Sequence, residues 1–317
     1  MPDLSRLGLG TAPIGNLYRA MSDAEAEATV HAALDAGIRY FDTAPHYGFG
    51  LAEERLGSAL AGRTDVRVST KVGRLLVPTD DPTPERHGFV GARACEPVFD
   101  YSGDAVLRSH DASLRRLRRD RVDVLLAHDL GRLTHGDAHD AMLRDFLDGG
   151  YPAMRRLRDE GTVDAIGIGV NEVAVCLDLL ERVEIDTILL AGRYTLLDRS
   201  AAVRLLPLCA ERGVRVIVGG PYNSGILAQS FTTSAERRFN YEPADVGIVA
   251  EAQALEAECA LFGVALPEAA LQFPLRHPAV DRVIAGMANP AEVADNVARI
   301  AVPVPDALWQ TLETVPA

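Results

Sequence analysis

Two hydrophobic periods alternate along this chain. Short runs rich in β-branched residues stand at 7–10, 37–42 (GIRYFD), 66–71 (VRVSTK), 122–127 (VDVLLA), 164–170 (DAIGIGV), 186–190 (DTILL), 214–219 and 281–285 (DRVIA). Between them, apolar residues recur three and four positions apart over 22–36, 51–61, 104–118, 152–160, 172–182, 200–212, 246–262 and 290–299. The first pattern predicts buried strands and the second predicts amphipathic helices. Several helices run into a glycine just before the next strand, in DAG (35–37), DEG (159–161) and ERG (211–213). That is a helix-terminating signal.

Eight strands alternating with about eight helices in 317 residues predict a closed (β/α)8 barrel, one α/β domain spanning 1–317. An open doubly wound sheet would place G-x-G-x-x-G between its first strand and helix. GLGTAPIG at 8–15 has the wrong spacing for that. Long segments at 73–103, 129–151 and 221–245 would hang over the C-terminal face of a barrel, where long loops line the site. The first of them shows no clear period. The tail at 303–316 reads as an extra C-terminal helix after a proline-containing turn.

Composition narrows the partners. The chain carries 45 acidic against 32 basic residues, a formal charge of −13, which argues against nucleic acid and anionic membrane surfaces. The basic run RRLRRDR at 115–121 ends a helical pattern, where cations suit the helix dipole, and is expected to be solvated. Cysteines 95, 176, 209 and 259 lack metal-ligand spacing, and the last three are expected to fill core space. No apolar run is long enough to span a bilayer, and no basic segment followed by an apolar run opens the chain. These features predict a cytoplasmic protein that acts on a small molecule without a metal. They leave monomer and homodimer open.

Four residues carry candidate chemistry. Asp42 ends the second strand, Lys71 ends the third, His128 follows the fourth, and Tyr47 lies in the loop after the second. Adjacent strand ends are neighbours in a barrel, so the four can converge. A free phenol, with a pKa near 10, is a poor base near neutrality, and a close ammonium favours its ionised form. A carboxylate would hold that ammonium charged and oriented, and an imidazole can donate to a substrate oxygen. Taken singly, each has a plainer role: Asp42 as a cap or turn former, Lys71 closing a strand in solvent, His128 as a structural histidine, Tyr47 as packing. Their joint placement favours proton transfer to or from an alcohol oxygen.

With the segments YFDTAPHYGFGLAEERLG, VSTKVG and VLLAHD around them, these four positions closely resemble the aldo-keto reductases over nearly the whole chain. The resemblance implies a barrel oxidoreductase that passes a hydride between a nicotinamide cofactor and a carbonyl or alcohol. It makes Tyr47 the general acid or base, tuned by Lys71, with Asp42 paired to Lys71 and His128 orienting the substrate oxygen. It places Asn171, in GIGVNE, on the nicotinamide carboxamide. GGPYNSGIL at 219–227, with Ser224 and Gly225, corresponds to the pyrophosphate loop. IAGMANPAEVADN at 284–296, with Gly286, Asn289, Glu292 and Asn296, corresponds to the adenosine-side loop and helix. Read from residues alone, the latter segment is equally a turn and a helix cap at Asn289 ahead of Pro290.

Two departures from the family pattern change what is expected. Gly219 stands where many members stack an aromatic on the nicotinamide, and Ala191 where they carry a glutamine. Ala288, Asn289 and Glu292 occupy positions where NADP-preferring members carry Lys or Arg, and a 2′-phosphate without such a partner is poorly matched. NAD is therefore the expected cofactor, with NADP possible, and Glu292 would suit a ribose hydroxyl. The opening LGLGTAPIGNLY, AGRYTLLDRS and the loop after Lys71 most resemble the branch that oxidises the anomeric carbon of L-fucose or related aldoses to a lactone. Pyridoxal 4-dehydrogenases, whose substrate is also a cyclic hemiacetal, resemble the same branch, and a general aldehyde reductase is a further alternative. On the aldose reading, polar loop residues would select the ring hydroxyls, with His46, Arg74, Asp129 and Arg193 as candidates.

Overall fold

The structure is a computed structural model that describes residues 3–231 and 237–314. Within these residues, eight parallel strands close into a barrel: β1 (Leu7–Gly10), β2 (Tyr40–Asp42), β3 (Arg67–Val72), β4 (Val122–His128), β5 (Val163–Val170), β6 (Thr187–Ala191), β7 (Arg215–Gly219) and β8 (Val280–Gly286). The ring closes where β1 pairs with both β8 and β2, for example Gly10 with Gly286 and with Asp42. Each predicted strand is present, shifted at its ends by a few residues at most.

Alternation along β3 shows how the sequence sets the faces. Val68 packs among the helices and Thr70 bonds helix α2 (Leu51–Ala59), while Ser69 and Lys71 reach inward to Asp42. Inside the barrel, Tyr40, Val124, Leu126, Ala165, Leu189, Ile217 and Ile284 form a separate buried cluster. The larger core lies between strands and helices and holds Cys176, Cys209 and Cys259, all fully buried. Among the described residues, no helix is long and apolar enough to cross a membrane.

The long segments differ from expectation. Residues Arg74–Pro78 and Cys95–Phe99 pair as an antiparallel hairpin, and a smaller pair, Glu85–Arg86 with Phe89–Val90, sits at its tip. The region read as lacking a period is therefore a folded cover over the barrel mouth. It begins at Gly73, whose φ of +97° and contact with the Tyr101 ring leave no room for a side chain. Residues 129–151, read as a loop, contain short helices at Arg132–His135 and His139–Asp145. A five-residue π turn at Phe146–Gly150 then leads into α4 (Tyr151–Asp159). The helix expected over 200–212 begins only at Leu205. The C-terminal helix runs over Asp306–Thr314; the last positions expected in it lie outside the described residues.

The basic run ends α3 (Gly103–Leu117) and is exposed at Arg115, Arg118 and Arg121, as expected. Arg116 is the exception, mostly covered and turned to a buried carboxylate. Its Nε donates to Glu53 Oε2 at 2.6 Å, and Thr70 Oγ1 donates to Glu53 Oε1 at 2.6 Å. Glu53 is fully buried, so Arg116 is the counter-charge that makes this carboxylate tolerable in the core.

Candidate active site

The four candidates meet at the C-terminal mouth of the barrel. The ladder carries them there: Asp42 pairs with Ser69, Lys71 with Leu126, and His128 with Gly169. Lys71 Nζ donates to Asp42 Oδ2 at 2.7 Å, to the Thr43 carbonyl at 2.8 Å and to Tyr47 Oη at 3.1 Å. Ser69 Oγ, which sequence reasoning missed, occupies the other oxygen of Asp42 at 2.7 Å. The lysine is thus held by a carboxylate that is itself fixed, and its remaining donor points at the phenol. The His128 ring stands edge-on to Tyr47, with centroids 6.0 Å apart.

Burial and charge set the protonation states. Burial pushes the Tyr47 phenol up to about 12, against the pull of Lys71. Burial works against the charge on Lys71, but Asp42 and Tyr47 outweigh it and hold the ammonium above its ordinary range. His128 is driven well below the usual imidazole range by burial, then by Arg74 and Lys71, and is neutral. Its Nδ1 is buried without a partner, whereas Nε2 lies toward the cleft, 3.5 Å from Asp129 Oδ2. An orphaned N–H is rarer in native structures than an orphaned lone pair, so the proton belongs on Nε2. Phenol and imidazole N–H together face one position, the place for an alcohol or carbonyl oxygen.

That position lies in a cleft of about 510 Å³. Its walls include Tyr18, Phe89 and Tyr241 on the aromatic side, Arg74, Asp129 and Asn171 on the polar side, and Leu189 and Ala191 on the aliphatic side. None of the three rings was singled out in the sequence, although Phe89 and Tyr241 lie on two of the long segments expected over the site. Arg193 is a buttress rather than a wall: its Nε donates to the Asn171 carbonyl at 2.6 Å, and its Nη1 to Asp198 and Asn240.

The cofactor candidates divide. Asn171 follows β5 and lines the cleft, half-buried. Because β7 pairs with β8 (Gly219 with Ile284), the segments that follow these two strands lie side by side. Gly225, at φ +98°, and Gly286 are exposed there, and Ser224 Oγ accepts from the Tyr241 amide at 2.9 Å. Asn289 caps α9 (Pro290–Ala301), accepting from the Glu292 amide at 2.9 Å. Glu292, expected to suit a ribose hydroxyl, is half-buried and engaged locally. Its carboxylate accepts from the Ala288 amide at 2.8 Å and from Asn289 Nδ2 at 2.7 Å, because both donors lie within its own turn. Asn296 is buried, bonded to Tyr222 Oη and to the Glu292 carbonyl, and ties the helix to the loop after β7.

This donor set fits a dinucleotide. An exposed, glycine-containing loop and a capped helix N-terminus adjoin, which suits phosphates. No lysine or arginine occurs over 286–296. Gly219 leaves the cleft floor to Leu189 and Ala191, which a Cβ there would already contact at 3.3 and 3.5 Å.

Comparison with known proteins agrees with this geometry. The profile of the Aldo/keto reductase family matches residues 6–316. The chain belongs to the aldo/keto reductase family. As a member it is an NAD(P)-dependent oxidoreductase. It is 41% identical to a pyridoxal 4-dehydrogenase from Microbacterium luteolum, over 98% of this chain and 94% of that protein. It is 39% identical to a D-threo-aldose 1-dehydrogenase from Pseudomonas sp, over 96% and 92%, and 30% identical to an L-galactose dehydrogenase from Arabidopsis thaliana, over 94% and 84%. Among solved structures it resembles the holo form of aldo-keto reductase AKR11C1 from Bacillus halodurans, with TM-score 0.76 and 28% identity over 97% of this chain and 91% of that one.

Proposed function

We propose that this enzyme oxidises the anomeric carbon of a cyclic hemiacetal, an aldopyranose such as L-fucose, to the lactone, with NAD preferred over NADP. The observation that carries the reading is the polar wall beside the proton-transfer pair. Arg74 and Asp129 line the cleft next to Tyr47 and His128, as suits a substrate with several hydroxyls. Two of the relatives named above are aldose dehydrogenases, which supports it. The absence of a cation over 286–296 supports NAD.

When bound, the cofactor would supply the hydride acceptor. Every other part of the reaction falls to the chain. His128 Nε2 and Tyr47 Oη hold the hydroxyl oxygen, the hydroxyl proton passes to Tyr47 as phenolate, and Lys71 stabilises that phenolate. Asp42, Tyr47, Lys71 and His128 are the proposed catalytic set. Asn171, Ser224, Gly225, Gly286 and Asn289 are the proposed cofactor contacts, with Glu292 and Asn296 shaping that site from within.

A second reading, pyridoxal oxidised to 4-pyridoxolactone, is favoured by the aromatic rings of Tyr18, Phe89 and Tyr241 in the same cleft. Following absorbance at 340 nm with NAD⁺ and a panel of L-fucose, D-arabinose, L-galactose and pyridoxal separates the two. Turnover of the sugars, lost in Tyr47→Phe, supports the aldose reading; turnover of pyridoxal alone replaces it with the second.

A further inference from the structure

Asp129 takes no part in the proton-transfer set, yet it faces the same position. Its backbone sits in the left-handed region at φ +54°, a conformation that aspartate adopts more readily than most residues. Arg74 holds this carboxylate through Asp129 Oδ2, and Arg74 is itself placed by the Phe99 ring, 4.6 Å away, and by His46 Nε2 at 3.2 Å. The arginine is therefore held on its far side as well.

What remains free is an acceptor. Asp129 Oδ1 receives no hydrogen bond from the described residues, and the carboxylate is partly open to the cleft. His128 Nε2 lies 3.5 Å from Oδ2, too far for a good hydrogen bond between them. A donor and a carboxylate this close can be bridged by two neighbouring hydroxyl oxygens, one accepting from His128 Nε2 and the other donating to the free Oδ1 of Asp129. A single alcohol oxygen would satisfy His128 and leave the carboxylate without a partner when the cleft fills and water leaves it.

We infer that Asp129, anchored by Arg74, selects substrates bearing a hydroxyl on the carbon next to the one oxidised. This rests on the aldose reading and sharpens it to 2-hydroxy aldoses: a 2-deoxy sugar keeps the reacting carbon but lacks the group that Asp129 accepts. Asp129 is then a specificity-determining residue, and Arg74 positions it.

The test compares L-fucose with 2-deoxy-L-fucose in the wild type and in Asp129→Gly, which removes the acceptor and which the left-handed backbone accommodates. The wild type is expected to favour L-fucose in kcat/KM by roughly 10- to 100-fold, the range for one hydrogen bond to a charged group. In Asp129→Gly that ratio falls toward one, through loss with L-fucose and little change with the deoxy sugar. Arg74→Met, which frees the carboxylate without removing it, lowers the same ratio. A general structural role would depress both sugars equally and keep the ratio, which overturns the inference. Equal use of both sugars by the wild type also overturns it but leaves the aldose reading standing. If the wild type oxidises neither sugar, both fall together.

Discussion

Gly15 and Gly48 meet backbone to backbone at the junction of the loops after β1 and β2. The carbonyl oxygen of Gly15 stands where a Cβ on Gly48 would be, and a Cβ on Gly15 would in turn lie 2.9 Å from the Tyr47 carbonyl carbon. The reacting phenol is thus seated by its chain neighbour's lack of a side chain. Gly48 also has φ +63°, so alanine there is excluded on two grounds. Gly48→Ala is expected to cost about 1–3 kcal/mol of stability. It should also lower kcat through displacement of Tyr47. Thermal unfolding and steady-state rates measured on the same preparation check both; a variant with unchanged kcat would show that Tyr47 is seated by something else.

The pH dependence of oxidation follows from Tyr47. Its phenol is pushed up to about 12, so below that pH the base form is the minor one and grows tenfold per unit. Oxidation is expected to rise between pH 7 and 9, and aldehyde reduction, which needs the protonated phenol, is not expected to rise with it. Lys71→Met removes the ammonium that stabilises the phenolate and should depress oxidation by about 100-fold or more. Initial rates in both directions across this range decide the matter. A flat oxidation profile with chemistry shown to be rate-limiting would contradict the assignment.

Arg116 bears on stability alone. Removing it leaves Glu53 charged and fully buried, with Thr70 as its remaining hydrogen-bond partner. Arg116→Met should destabilise the fold by about 3 kcal/mol, at the lower end for a broken buried pair because Arg116 itself is partly exposed. Replacing Glu53 by Gln in the same background should recover part of the loss. Denaturant unfolding of the single and double variants measures both effects.

Cofactor choice can be shifted at Glu292. Titration of intrinsic fluorescence is expected to show NADH binding more tightly than NADPH. Glu292→Arg supplies the missing cation and should narrow or reverse that preference by roughly 10- to 100-fold. The same change removes the bonds to the Ala288 amide and Asn289 Nδ2, so a small drop in melting temperature should accompany it. An unaltered preference would place the 2′ position elsewhere.

The barrel was legible because its strands are compact runs of Val, Ile and Leu bounded by glycines, and because Asp42, Lys71 and His128 each stand where such a run stops. Closure then brings them together without further information. The hairpin over residues 74–99 was not legible. Its partners RLLVP and CEPVF pair across a turn of sixteen residues with no alternation to mark them, since both faces are partly covered. Arg116 looked solvated because helical period does not reveal which distant carboxylate lies beneath it. The local partners of Glu292 were hidden for a similar reason: its charge suggested a ligand, and the two donors within its own turn do not show in the period.

The division of labour between strands and cover has an evolutionary consequence. Asp42, Lys71 and His128 are fixed by the barrel ladder, while Arg74, His87 and Phe89 arrive on the hairpin segment that follows β3. Exchange of that hairpin between related sequences can transplant substrate choice without retuning the proton relay. Diversification in this lineage is then expected to be recorded in that hairpin, with the strand ends inherited as a unit.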